Sequence, residues 1–315
     1  MKSDSHVRDR IVEILFSGQM SQREITSVSH ASRSRVSEVL KDLELKGFVR
    51  RHRVGGRTVY VSLDPDKTLR IGILRSSEYF HVVAAMLALE KELLVRIKVY
   101  DNSLEALKNL LLGAEDLVTS PLVSGYFFHL IDGNVKPLAA VARGGSGIIF
   151  KRDSGLIGTT PLSSMDRESM KAERYRRAYF RSVEEILKAY RDDQIDAASI
   201  WEPFLSMEGG ISAKPEDVCC CIFSNKATSK AMKEFLNSYF LSLREGADCK
   251  ERRVVCSSLA SILGVRISDV EKSLKSYEFT NEMDRKDAID QISRFGFPVE
   301  KGVDLFLEKC PTVSV

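Results

Sequence analysis

SQREITSVSHASRSRVSEVLKDLELKGFVRRHRVGGRTVYV, residues 21–61, decides the fold of the first part of the chain. Its opening, Ser21-Gln22-Arg23-Glu24, is a capping box, in which a serine hydroxyl and a glutamate carboxylate each accept from the other residue's backbone amide. That predicts a short helix carrying Ile25 and Val28, with Ser29-His30-Ala31 as the turn that follows. A third helix is expected over about residues 32–46, because Val36, Val39, Leu40 and Leu43 recur at helical spacing and Gly47 supplies the stop. Helix, tight turn and helix form the helix-turn-helix pattern. Beyond it, residues 48–54 and 58–61 are β-rich runs flanking Gly55-Gly56, and they read as an arginine-loaded hairpin.

Upstream, Val7, Ile11, Ile14 and Leu15 place one more amphipathic helix before Ser17-Gly18. Residues 1–62 hold twelve Lys or Arg against seven Asp or Glu, while the other residues hold 35 against 37. A basic head on a near-neutral body suits a module that meets a polyanion, attached to one that does not. The N-terminal MKSDSHVRDRIVEIL is too charged for a signal peptide and no stretch is apolar enough to span a bilayer, so the expected setting is cytoplasmic, with no membrane partner. Six cysteines without a CxxC pair, and five dispersed histidines, give neither a disulfide framework nor a zinc site.

In a helix-turn-helix the second helix enters the major groove with its N-terminal residues at the base edges. Here that end offers Ser32, Arg33, Ser34 and Arg35, then Ser37. Arginine bonds bidentately to guanine, and serine serves base or phosphate. The wing adds Arg51, Arg53 and Arg57. Together these residues resemble the winged-helix regulators related to the MarR family, over nearly all of the first 62 residues. The resemblance implies double-stranded DNA as partner, and the reading of two half-sites leads to the expectation of a homodimer. A protein-binding winged helix is the competing use of the same fold.

Residues 63–67, Leu-Asp-Pro-Asp-Lys, form a short proline-bearing linker. From Thr68 the pattern alternates strand and helix, with strands over 68–74, 94–100 and 116–119 and helices over about 79–90 and 104–112. LRIGIL, SLEALKNLLLGAEDLVTSP, VKPLAAVARGGSGIIFKRDS, IDAASIWEPFLSM and CCCIFSNKATSKAMKEFLNSYF occur in that order. They resemble the type II periplasmic-binding fold, in the branch that binds sulfonates, nitrate and thiamin-pyrimidine precursors. The expected architecture is therefore an α+β winged helix plus a two-lobed α/β domain over 68–315. Lobe 1 covers about 68–143 and 205–315, and lobe 2 about 148–204. The resemblance implies a small-molecule effector, an anion or a heterocycle, held between the lobes. Residues 245–315 read as helical.

Candidate ligand residues follow from strand order, since α/β proteins gather ligands at the carboxyl ends of strands. These are Ser76, Ser77, Glu78 and Tyr79 after the first strand, and Thr119 and Ser120 after the third. Gly145 and Ser146 in the glycine-rich crossover join them. Thr159 and Thr160 precede Pro161, and Thr160 suits a helix N-cap. By resemblance, Trp201 stacks on the ligand and Glu202 bonds a ring nitrogen or amine, with a buried structural tryptophan as the alternative. Cys219-Cys220-Cys221-Ile222-Phe223 reads as a buried strand. It also resembles the cysteine run of the eukaryotic-type thiamin pyrimidine synthase, without that run's last cysteine. The expected function is thus a ligand-responsive transcription regulator, not an enzyme and needing no cofactor, with a synthase-like enzyme as the alternative.

Overall fold

The computed structural model describes residues 2–54, 58–212, 217–299, 302–308, 310 and 313–314. The chain divides into two compact units. One comprises residues 1–69, 89–96 and 229–234, and the other residues 70–88, 97–228 and 235–315.

The first unit contains helices α1 (Lys2–Phe16), α2 (Gln22–Ser29) and α3 (Arg33–Leu45), with a sheet of β1 (Met20–Ser21), β2 (Val49–Val54) and β3 (Thr58–Leu63). The capping box forms in full. Ser21 Oγ accepts from the Glu24 amide at 3.3 Å, and Glu24 Oε2 accepts from the Ser21 amide at 2.7 Å. His30, at φ 55°, makes the left-handed turn into α3. Val36, Val39, Leu40 and Leu43 are buried with Ile11, Ile25 and Val61. Val28 departs from expectation, being 48% exposed, and Ser29 takes the core-facing place beside Ile25. Strands β2 and β3 pair antiparallel from Val49↔Leu63 to Val54↔Thr58. Their connection, Gly55, Gly56 and Arg57, lies outside the described residues. The segment after β3 is held down: Arg50 grips Asp64 through Nε at 2.6 Å and Nη2 at 2.8 Å, and the Asp64 amide donates to the Phe48 carbonyl.

The second unit is an α/β structure on two large sheets and one two-stranded sheet. The chain enters through β4 (Thr68–Leu74), a 3-10 turn at Ser77–Tyr79, α4 (Phe80–Ala88), β5 (Leu94–Tyr100), α5 (Ser103–Leu111), β6 (Leu117–Pro121), α6 (Leu122–Ile131) and β7 (Lys136–Gly144). It then crosses to a second sheet: β8 (Ser146–Phe150), β9 (Gly155–Thr159), α7 (Ser164–Met170), β10 (Tyr175–Tyr179), α8 (Val183–Arg191) and β11 (Ala197–Trp201). After α9 (Phe204–Met207) it returns through β12 (Val218–Ser224). The remainder is α10 (Lys230–Glu245), α11 (Arg252–Leu263), α12 (Ile267–Ser273), β13 (Tyr277–Phe279), β14 (Met283–Asp284), α13 (Arg285–Ser293), α14 (Gly302–Leu307) and β15 (Val313–Ser314). The large sheets run β13-β7-β12-β6-β4-β5 and β10-β9-β11-β8, and β14 pairs in parallel with β15.

Two local expectations need correction. Residues 245–315 are not wholly helical, because β13 pairs with the edge of β7 through Tyr277↔Gly144 to Phe279↔Ala142. Its aromatic residues supply the β-favouring side chains that such an edge accepts. Nor does Thr160 cap a helix. Helix α7 begins at Ser164 and is capped by Ser163, whose Oγ accepts from the Asp166 amide at 3.1 Å, while Thr160 donates to that same oxygen.

The crossover between the sheets is tightly specified. Gly144 and Gly145 both hold left-handed backbone, φ 80° and 73°. A Cβ on Gly145 would sit 1.9 Å from a ring carbon of Tyr277. The Gly145 carbonyl accepts from the Glu202 amide. The Glu202 carbonyl in turn accepts from the Ser77 amide and from the hydroxyls of Ser76 and Tyr277.

Candidate functional site

Two surfaces carry the sequence-predicted residues, one in each unit. In the winged helix, Ser32 caps α3 and its hydroxyl accepts from the Arg35 amide at 3.3 Å, with Ser34 Oγ 3.1 Å away. Arg35 pairs with Glu38 at 2.9 Å, one helical turn on. Arg51 bonds Glu44 Oε2 at 2.9 Å and reaches Gln22 at 3.5 Å, bracing the wing against α3 and α2. Arg33 and Arg53 are exposed and, among the described residues, enter no ion pair, and Ser37 is exposed on α3. Arg57 lies outside the described residues.

In the second unit the carboxyl ends of several strands converge on a cavity of about 480 Å³, its solvent-open part included. The end of β4 and the turn behind it give Leu74, Ser76 and Glu78, while the β5–α5 junction gives Asp101, Asn102 and Ser103. The crossover adds Gly144, Gly145 and Ser146. Thr160, Ser163 and Met165 come from around the start of α7, and Pro121 from the end of β6. Trp201, Cys219, Cys220 and Tyr277 complete the wall. The positions are set locally: Asn102 caps α5 by accepting from the Glu105 amide at 2.9 Å, and Ser76 Oγ accepts from the Glu78 amide. Trp201 Nε1 donates to the Arg75 carbonyl at 2.6 Å, which fixes the indole while leaving it on the cavity.

Six of the sequence-predicted ligand residues line this cavity: Ser76, Glu78, Gly145, Ser146, Thr160 and Trp201. Six others do not. Ser77 is buried and bonds Ser273 Oγ at 2.8 Å, and Tyr79 is buried with its hydroxyl on Cys220 Sγ at 3.6 Å. Thr119 donates to the Gly72 carbonyl, and the hydroxyls of Ser120 and Thr159 are buried without a hydrogen-bond partner. Glu202 is the clearest correction. Its carboxylate accepts from the Ser206 amide and hydroxyl and from Ser276 Oγ, at 2.8–3.0 Å, and it does not line the cavity. Strand-end logic applied to β5 would have found Asp101 to Ser103. Tyr277 gave no local signal, since its place depends on a pairing between β13 and β7, far apart in sequence.

The electrostatics are one-sided. Glu78 and Asp101 line the cavity and, among the described residues, no Lys, Arg or His does. Burial raises the Glu78 carboxyl above its ordinary range, against the lowering effect of hydrogen bonds from Cys220, Tyr79 and Cys219. The Cys220 thiol and the Tyr277 phenol are likewise pushed well up by burial. An anion entering here would meet no side-chain countercharge among the described residues.

Comparison with known proteins fits both halves. Residues 12–66 match the family described as "Sugar-specific transcriptional regulator TrmB". No curated protein matches the chain. Among solved structures, the ligand-binding component of an ABC-type import system from Staphylococcus aureus is similar at TM-score 0.63 and 12% identity, covering 76% of this chain and 96% of that one. The nitrate-binding protein NrtA of Synechocystis PCC 6803 gives 0.60 and 12%, covering 78% and 86%. The aliphatic sulphonate-binding protein SsuA of Escherichia coli gives 0.56 and 14%, covering 78% and 92%. At these identities the likeness is one of fold. No helix among the described residues is long and apolar enough to cross a membrane. The chain therefore carries a TrmB-type winged-helix regulator domain at residues 12–66, joined to a fold of the type II periplasmic-binding kind.

Proposed function

We propose that this protein is a cytoplasmic, ligand-responsive transcription regulator whose winged helix binds operator DNA and whose cavity binds a small effector. The observation that carries the reading is the coexistence, in one chain, of a TrmB-type domain exposing Arg33 and Arg53 with a closed-in cavity of a solute-binding fold. Arg33 stands where a recognition helix meets base edges, and Arg53 stands on the strand that a wing lays against phosphates. Two copies reading two half-sites make the protein a homodimer on its operator. The effector is uncharged or cationic, with N–H donors for Glu78 and a face for Trp201. That narrows the sequence expectation to its heterocyclic half.

Mobility-shift titration against DNA flanking the protein's own gene tests the reading, with and without a panel of amines and nitrogen heterocycles. The expected result is a shifted complex whose affinity changes when a compound from the panel is added. Failure to retain any fragment over competitor DNA at low salt overturns it.

A further inference from the structure

The pairing of strand β12 with β7 shifts register at three points, and the first has chemical consequences. There the pairing runs Val218↔Arg143 and then Cys220↔Ala142, so β12 advances two residues while β7 advances one. Cys219 is the extra residue of a bulge. On a regular strand neighbouring side chains point to opposite faces, and a bulge re-aims one of them. Here Cys219 and Cys220 both line the cavity, their sulfurs 3.5 Å apart.

Glu78 meets them from the turn after β4. One carboxylate oxygen of Glu78 and the two sulfurs all lie within 4.8 Å of one another, the only group of three or more such donors among the described residues. From this juxtaposition we infer that Glu78, Cys219 and Cys220 form a binding site for a thiophilic divalent cation of the zinc type, with a fourth position open to the cavity.

The geometry fits the ion. Zinc bound to thiolate at about 2.3 Å in a tetrahedron sets two sulfurs roughly 3.8 Å apart, close to the spacing present. Two sulfurs and one carboxylate leave one position of four for an exogenous ligand, which is the arrangement of an open site. Both sulfurs already have outer partners: Ser164 Oγ donates to Cys219 at 3.2 Å and Tyr79 Oη to Cys220 at 3.6 Å. Hydroxyl donors of this kind orient ligands and hold thiolate charge. On binding, each thiol gives up its proton to solvent as its sulfur bonds the cation, with no change of oxidation state. The cation also supplies the positive charge that the lining lacks.

The inference rests on the cavity of the proposed function and adds a cation beside the heterocyclic effector, whose nitrogen the open fourth position can take, independently of DNA binding. The test uses the full chain, reduced and stripped with chelator, and titrated with Co²⁺ alone. The expected spectrum has sulfur-to-cobalt charge-transfer bands and the intense visible bands of four-coordinate cobalt, saturating at one ion per chain and bleached by one equivalent of Zn²⁺. Cys219→Ser and Cys220→Ser should each cut affinity roughly ten-fold or more and weaken the charge-transfer bands, and Glu78→Gln should cut affinity while keeping them. Cys249→Ser and Cys256→Ser should match wild type. Wild-type protein without charge-transfer bands, or bands that persist in the Cys219→Ser/Cys220→Ser double variant, overturns the site. Mobility shifts run in parallel separate the failures. Missing bands with DNA binding intact remove the cation site alone, and bands without DNA binding remove the regulator reading alone.

Discussion

Arg33 and Arg53 share exposure and charge, and the proposed function gives them different work. Arg33→Ala should lose about 1–3 kcal/mol of discrimination between operator and altered sequence. Arg53→Ala should weaken all sequences alike and lower the salt slope by about one unit. Titrating both variants against operator and scrambled DNA at several salt concentrations checks the pair. A different prediction concerns His81, which is buried, bonded through Nδ1 to Ser242 Oγ at 2.8 Å and set edge-on against Phe279. Burial lowers its pKa from 6.5 to about 4, so the folded state keeps it neutral. The unfolded chain takes up that proton first. Stability from this group is therefore present above pH 6.5 and is lost as pH falls towards about 4, a change of about 3 kcal/mol. Between those pH values wild type should lose about 3 kcal/mol more stability than His81→Leu, since the carboxylates titrate in both, and melting curves of the two across that window check it. Single residues were legible where a local rule governs them, as with Ser21 and Glu24. The hydrogen bonds of Glu202 were not legible, because its partner Ser276 is far away in sequence and only the folded chain brings it near.

At the scale of elements, β4 over 68–74 and β5 over 94–100 appear with the bounds that their composition predicts, because runs rich in β-branched residues and ended by polar turns allow little else. The start of α7 was misplaced because Thr160-Pro161 and Ser163 are both plausible caps, and only the Ser163–Asp166 bond decides between them. The bulge in β12 was not legible at all, since it is a property of how Cys219 pairs and not of what it is. Two element-level outcomes follow. Ser21→Ala removes half of the capping box and should cost the winged helix about 1 kcal/mol, read as a lowered urea midpoint. Gly145→Ala introduces a methyl where φ is 73° and the Tyr277 ring is 1.9 Å away. It should cost about 1–3 kcal/mol through strain and a displaced ring. Adding Tyr277→Ala should recover the steric part only, so a double variant no worse than Tyr277→Ala alone would refute the backbone argument.

For the molecule as a whole, the asymmetry between a basic reader and a near-neutral sensor makes DNA affinity a matter of ionic strength. A dimer making about six phosphate contacts should lose roughly three orders of magnitude in affinity between about 50 and 200 mM salt. Affinity flat over that range would mean that the arginines of the wing do not meet phosphate. The sensor carries its own reporter. Trp201 is the chain's only tryptophan, it lines the cavity, and its indole N–H is tethered to Arg75. Selective excitation of tryptophan therefore samples one place in the protein, without a dye and without engineering. A ligand stacking on that ring, or a cation arriving at the cysteines on the same cavity, will shift or quench its emission. Occupancy of the sensor can then be followed on the very sample whose DNA binding is being measured.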